Sequence, residues 1–304
     1  AGRTTTPTSG AASAPVASLD QWVAGARPRT LPAAVAPVAV GTGSAYALGR
    51  GDLGLGLLAL LVSVGLQIGV NYANDYSDGI RGTDEDRVGP IRLVGQRLAD
   101  PANVKAMAFL WFGFAALCGL ALVALSSSWV LLLIGGAAII AAWRYTGGDN
   151  PYGYRGLGEV MVFVFFGLVA VLGTTWTQAK ALDLASWAGA VGVGAIACAI
   201  LVVNNLRDIP GDSATGKRTL AVRLGDRRTR MLYVALLALA LLMALMAGLR
   251  HPWALLALAA APLAVLAARP VVRGALGREL VPVIGGTGLY QLGYAALLTL
   301  GLVL

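Results

Sequence analysis

Two stretches of the 304-residue chain place carboxylates and amides at spacings that chemistry can use. The first, NYANDYSDGIRGTDEDRVGPIRL, covers 71–93. Asn71, Asn74, Asp75 and Asp78 are related by steps of three, four and seven, so on a helix they share one face. Asp84 follows a Gly-rich bend that can fold it back towards them. The second stretch, NNLRDIPGDSATGKRTLAVRLG, covers 204–225. Here Asp208 and Asp212 stand one helical turn apart, with Asn204 and Asn205 a turn earlier; Pro210 and Gly211 predict a helix end or kink between them.

Paired carboxylates near water suit hard, oxygen-loving cations, and Mg²⁺ in particular takes one or two carboxylates together with waters and substrate phosphates. Arg81, Arg87, Arg92, Arg207, Lys217 and Arg218 are interleaved with these acids and offer the donors that phosphate oxygens accept. Anionic ligands for a metal and cationic ligands for an anion therefore occur together, and a metal-bridged diphosphate satisfies both. A salt-bridge network at a membrane surface is the alternative for either stretch alone. Recurrence of the Asn/Asp pattern at two helix ends, four helices apart, favours a site. The run 211–217 begins like a phosphate-binding P-loop, GxxxxGK, but Arg218 stands where a Ser or Thr should hold the metal, and a membrane helix precedes it in place of a strand.

A third polar stretch, 145–159, reads YTGGDNPYGYRGLGE. Its Gly and Pro content predicts a structured turn, and Tyr145, Tyr152 and Tyr154 can present hydroxyls and ring faces to a planar ligand or sit as an interfacial aromatic belt. The apolar run that follows, MVFVFFG, can line a tunnel for a lipid tail or meet the bilayer.

Elements that could hold these residues follow from composition. Hydrophobic residues make up 57% and charged residues 12%, against about 25% charged in soluble domains. Mean hydropathy is +0.73, more apolar surface than a soluble globule of this size can bury, so the lipid bilayer is the expected solvent. Soluble oxidoreductase, kinase and nucleic-acid-binding classes fall away. Apolar runs predict nine transmembrane helices, near 29–49, 53–74, 103–125, 129–146, 158–179, 184–205, 229–249, 252–268 and 281–303, most of them close to the ~20 residues a hydrocarbon core requires. Residues 1–20 lack a continuous apolar core and are expected to form a flexible tail, with 21–304 as a single transmembrane domain.

Nine spans assign each loop to a side. With the N-terminus cytoplasmic, 20 of the 23 basic residues fall inside and only Arg50, Lys180 and Arg250 fall outside, which explains the net charge of +8 without nucleic acid. Of the 15 acids, 13 fall inside as well, leaving Asp52 and Asp183 on the other face. The positive-inside rule makes no such demand on acids, so their clustering points back to the two motifs. Cys118 and Cys198 lie in apolar runs without metal-ligand spacing, and His251 is the single histidine, so zinc and histidine-based catalysis have little to build on.

On NDYSDGIRGTDEDRVGPIRLV, YTGG with PYGYRGLGE, and NNLRDIPGDSATGKRTL, the chain closely resembles the UbiA superfamily of intramembrane prenyltransferases, and within it the bacterial branch that prenylates 1,4-dihydroxy-2-naphthoate. The likeness in helix pattern runs from about residue 20 to the end. The gap from Asp78 to Asp84 is longer than the NDxxDxxxD spacing of the ubiquinone branch, as the naphthoate branch has it, and Asp149 and Asn150 stand where a further Pro is expected.

The resemblance implies an all-α membrane fold of nine helices around a central cavity. It implies Mg²⁺-dependent ionisation of a polyprenyl diphosphate, then transfer of the prenyl chain to 1,4-dihydroxy-2-naphthoate with loss of its carboxylate as CO₂, giving demethylmenaquinone. Carried over by motif, Asp75, Asp78, Asp84, Asp208 and Asp212 are the expected metal ligands, all but Asp84 being called catalytic. Asn71, Asn74, Arg81, Arg87, Arg92, Asn205, Lys217 and Arg218 are expected around the diphosphate. Arg144 and Arg155, with Tyr145, Tyr152 and Tyr154, are candidates for the aromatic acid. The expected place is the cell membrane, with the site opening to the cytoplasmic face. A transporter would put charges near the midplane with repeat symmetry, and a CDP-alcohol phosphotransferase would carry DGxxAR, where this chain reads Asp78, Gly79, Ile80, Arg81, Gly82.

Overall fold

The computed structural model describes residues 16–82 and 91–304, and among these residues every regular element is helical. A short helix α1, Leu19–Gly25, starts just inside the stretch expected to be tail, fixed by a reciprocal cap between Ser18 and Gln21. Then come α2 (Pro32–Ala47), α3 (Leu53–Ile80), α4 (Pro101–Ser126), α5 (Leu131–Arg144), α6 (Gly158–Ala179), α7 (Leu184–Ala214), α8 (Leu220–Gly248), α9 (Pro252–Val272) and α10 (Gly277–Val303).

All nine expected segments are helical, but only α3, α4 and α6 to α10 are both long and apolar enough to cross a bilayer. The 16 residues of α2 and the 14 of α5 fall short of the ~20 that a ~30 Å core needs at 1.5 Å per residue. The chain is thus a multi-pass membrane protein with seven helices of full spanning length among the described residues, and α2 and α5 are the two of the nine expected segments that are shorter. Two boundaries also move. Helix α3 continues to Ile80, so the whole row from Asn71 to Asp78 is helical. Helix α7 runs on through Pro210 to Ala214, because a proline near a helix end removes a single intrahelical bond while its fixed φ suits the helix, and Thr215 N–H closes the last turn on the Gly211 carbonyl at 3.0 Å.

Helix α7 is the axis of the bundle: 78% of its most apolar window is buried, against 28–44% in the other spans. Its Ala and Gly residues let neighbours approach closely, as in membrane helix packing generally. A Cβ placed on Gly167 of α6 would lie 2.8 Å from the Gly194 Cα of α7. At that crossing, Phe163–Val169 winds as a π-helix inside α6, in the stretch read as MVFVFFG. A second core gathers Tyr72, Leu93, Val104 and Phe112 where α3 meets α4 and the segment after the first motif. Both cores bring the polar ends of α3 and α7, and the turn before α6, to one end of the bundle.

Candidate active site

Asp78, in the last turns of α3, is 3% exposed and gathers partners from three other parts of the chain. The Tyr154 hydroxyl, from the α5–α6 turn, donates to its Oδ1. Lys217 Nζ, from the α7–α8 turn, lies 3.7 Å from the same oxygen, and an Arg92 guanidinium nitrogen lies 3.9 Å from Oδ2. Lys217 also sits 4.5 Å above the centroid of the Tyr154 ring, and the Arg81 guanidinium lies 5.5 Å from that centroid. The two acidic motifs and the tyrosine turn therefore meet at one carboxylate. Bonds to backbone carbonyls hold them there: the Arg218 N–H donates to the Tyr154 carbonyl at 2.9 Å, and the Arg81 guanidinium donates to the carbonyls of Thr146 and Gly148. Asn74 accepts the Thr146 hydroxyl at 2.7 Å.

Asp75, one of the expected metal ligands, has a different position. It is 0% exposed, and its two oxygens accept the backbone N–H groups of Leu93 at 2.8 Å and Val94 at 3.1 Å. Through these two bonds the carboxylate pins the segment that carries Arg92, and so sets the reach of Arg92 to Asp78. Gly79 belongs to the same joint, because a Cβ there would strike the Val94 side chain.

In the second motif, Arg207 grips Asp208 with two hydrogen bonds of 2.7 and 2.8 Å and reaches Asn204 Oδ1 at 3.0 Å. Asp212 is partly exposed beyond it, and its carbonyl accepts the Lys217 N–H at 2.8 Å. Lys217 and Arg218 line an open cavity of about 370 Å³ together with Ser213 and Gly216. Asn205 donates at 2.9 Å to the Glu159 carboxylate, a buried acid at the start of α6. Glu159 stood in the third polar stretch without a role; the signal for it was a carboxylate opening an apolar span, a costly placement that usually has a purpose.

Other expected site residues lie elsewhere. Asn71 shares the face of Asp78, yet its amide donates to the Ala26 carbonyl at 2.8 Å and the Thr30 hydroxyl at 2.9 Å, tying α3 to the N-terminal segment. Tyr152 is anchored to the Ala141 carbonyl at 2.9 Å, and burial pushes its phenol well above the usual value. Tyr145 packs edge-on against it, ring centroids 5.6 Å apart. Arg144 and Arg155 are exposed, and the contacts that join Asp78, Tyr154 and Lys217 do not include them. Asp84 and Arg87 lie outside the described residues. Among the described residues no three acidic, His or Cys groups converge, so a metal here would share its shell with substrate oxygens.

Residues 34–301 match the UbiA prenyltransferase family. A 1,4-dihydroxy-2-naphthoate octaprenyltransferase of Mycobacterium tuberculosis is 58% identical over 280 residues, covering 92% of this chain and 96% of the relative. The protein of that name in Escherichia coli is 42% identical, with 83% and 85% covered. Among solved structures, a UbiA homologue from Aeropyrum pernix has a TM-score of 0.70 at 15% identity, covering 88% and 97% of the two chains. One from Archaeoglobus fulgidus bound to GPP and Mg²⁺ scores 0.64 at 14% identity, covering 91% and 99%.

Proposed function

Because the chain belongs to the UbiA prenyltransferase family, we propose that it transfers a polyprenyl chain from its diphosphate to 1,4-dihydroxy-2-naphthoate, yielding the quinol form of demethylmenaquinone, CO₂ and diphosphate. The observation that carries this reading is the meeting of Asp78, Tyr154, Lys217 and Arg92, a carboxylate held among donors that a diphosphate can take over.

The donor set fits Mg²⁺. Asp78, Asp208 and Asp212 offer hard oxygens with no sulfur or imidazole beside them, and Mg²⁺ needs only one or two such carboxylates when phosphate oxygens complete its shell. When bound it supplies Lewis-acid stabilisation of the departing diphosphate. Lys217 and Arg92, buried and already aimed at one anion, stabilise the negative charge that gathers on the leaving oxygens as the allylic C–O bond breaks. The bonding pair leaves with the diphosphate. A π pair of the electron-rich naphthoate ring then forms the new C–C bond, and loss of CO₂ returns a pair to the ring. Tyr154 holds Asp78 in place from the tyrosine turn, and Glu159 does the same for Asn205. Water must be kept from the allylic cation, a demand that the apolar bundle around α7 meets. The site opens to the cytoplasm in this reading, where the basic loops collect.

The test is turnover of the purified chain with the naphthoate and with 4-hydroxybenzoate, each supplied with prenyl diphosphates of several lengths, with and without Mg²⁺. Metal-dependent prenylation of the naphthoate is expected. Preference for the benzoate overturns the acceptor, and ion or solute flux in proteoliposomes without transfer overturns the enzyme.

A further inference from the structure

A second cationic site lies outside the cluster around Asp78. Where α9 ends, an open groove of about 560 Å³ is lined by Leu266, Arg269, Pro270, Arg273, Ala275 and Glu279, among others. We propose that this groove binds the headgroup of an anionic phospholipid, with the phosphate on Arg269 and Arg273 and the acyl chains along the outer face of α9.

Arg269 and Arg273 are one helical turn apart, both exposed, and among the described residues neither has a carboxylate partner. Arginines near a helix C-terminus commonly bond its last carbonyls. Here that role is taken by Arg230 of α8, which is gripped by Asp226 and donates to the carbonyls of Val271 at 2.7 Å and Ala275 at 2.9 Å. Backbone bonds from Gly274 and Ala275 satisfy Val271 and Pro270 as well. The two arginines thus leave the helix-end carbonyls to Arg230, and they line one groove a helical turn apart, with guanidinium forks of the kind that bind phosphate oxygens.

Surrounding residues specify a lipid over a free anion. Leu266 and Val272 of α9 are each more than half exposed, and on a spanning helix that surface meets acyl chains; Leu276, in the turn that follows, is as exposed. Arginines placed where apolar helix surface gives way to polar loop sit at headgroup depth. Glu279 faces the same groove, with one oxygen accepting the Leu276 N–H at 3.1 Å. Its charge disfavours a dianionic phosphomonoester, while its oxygens can accept from a headgroup hydroxyl. Phosphatidylglycerol, a singly charged diester with a glycerol head, meets both conditions.

The experiment is thermal unfolding of the full chain in detergent, with added phosphatidylglycerol, phosphatidylcholine or inorganic phosphate. Phosphatidylglycerol is expected to raise the midpoint by about 3 °C or more. The double variant Arg269→Gln/Arg273→Gln is expected to lose that increment and keep its prenyl transfer rate in detergent, while Arg250→Gln on the opposite side keeps both. Equal protection by phosphatidylcholine, an increment that survives the double variant, or its reproduction by inorganic phosphate overturns the proposal. Should the double variant not fold, native mass spectrometry of Arg273→Lys provides the decision. Lysine keeps the charge but loses the planar fork, so retained phosphatidylglycerol should fall at least two-fold, and undiminished retention overturns the site.

Discussion

The two ends of the bundle both carry carboxylates and use them in opposite ways. At the end away from the candidate site, Asp52 accepts the Leu55 N–H at 3.0 Å and Asp183 accepts the Ser186 N–H at 2.9 Å, each capping the helix it precedes. These partners are three residues away, and the bonds satisfy orphan amides of a helix start. At the other end Asp75 reaches Leu93 and Val94, and Asp78 reaches Tyr154 and Lys217, in separate loops. A capping bond is complete once the helix has formed. Asp78, by contrast, is held by cations and a hydroxyl that a ligand of the same charge can claim, so the non-local carboxylate is the one with chemistry still to do.

The largest expected effect is at Asp78. Asp78→Asn should lower kcat/KM for the polyprenyl diphosphate by about 10³-fold, the scale seen when a group acting on developing charge is removed from a dry site. Asp78→Leu should in addition destabilise the fold by about 3–5 kcal/mol in detergent unfolding, since it leaves Lys217 and Arg92 buried without their carboxylate. Activity of Asp78→Asn within a few-fold of wild type would erase the difference between the two ends. Lys217→Gln comes next, with about a 10²-fold loss, felt mainly as a raised KM for the diphosphate substrate. A loss confined to the aromatic acceptor's KM would move Lys217 out of the diphosphate site.

Much of this arrangement can be read in the sequence. The apolar runs locate α2 to α10, though not the short α1, and the helical spacing of Asp75 and Asp78 is real. Spacing assigns a face, however, and not a partner or a depth. Asn71 lies two turns from Asp78 on the same face, about 10 Å along the axis, and at that level the neighbours are Ala26 and Thr30. Hydropathy ends α3 and α7 too early for a related reason. Polar residues lower the hydropathy of a window and mimic a loop, whereas intrahelical bonds do not depend on side-chain polarity. Partners supplied by tertiary contact, such as the Leu93 and Val94 amides on Asp75 or Glu159 on Asn205, leave no periodic trace.

Glu159 permits a finer test of the same contrast, because its contact with Asn205 joins α6 to α7 inside the bundle. Glu159→Gln keeps a carbonyl oxygen that can accept from the Asn205 amide, and should retain turnover within about three-fold. Glu159→Leu removes the acceptor and leaves a buried donor unsatisfied, about 1–3 kcal/mol, so a loss near 10-fold is expected. If Glu159 acts by orienting Asn205, the loss in Glu159→Leu is accompanied by weaker binding of Mg²⁺ with an unreactive prenyl thiodiphosphate, measured calorimetrically. Unchanged binding with a lower midpoint would reduce Glu159 to packing.

The smallest effect is expected at Asp183, and its sign can be worked out. Burial alone would raise this carboxyl, but hydrogen bonds from the Ser186 backbone and hydroxyl, and from His251 with its charge, outweigh burial and hold the pKa below the usual carboxylate value. A group depressed on folding contributes stability that is fully present above its unfolded pKa, about 3.9, and is lost as pH falls through the lower folded value. Wild-type protein should therefore lose stability on acidification through that window. Asp183→Asn keeps a good N-cap, so the change at neutral pH should be at most about 1 kcal/mol, while this part of the acid dependence disappears. Prenyl transfer at neutral pH should stay within about two-fold of wild type, because Asp183 and its partners Ser186 and His251 all lie at the end of the bundle away from the candidate site. A loss of activity approaching that of Asp78→Asn would mean that the two ends are coupled through α7, and that the division of labour between their carboxylates does not hold.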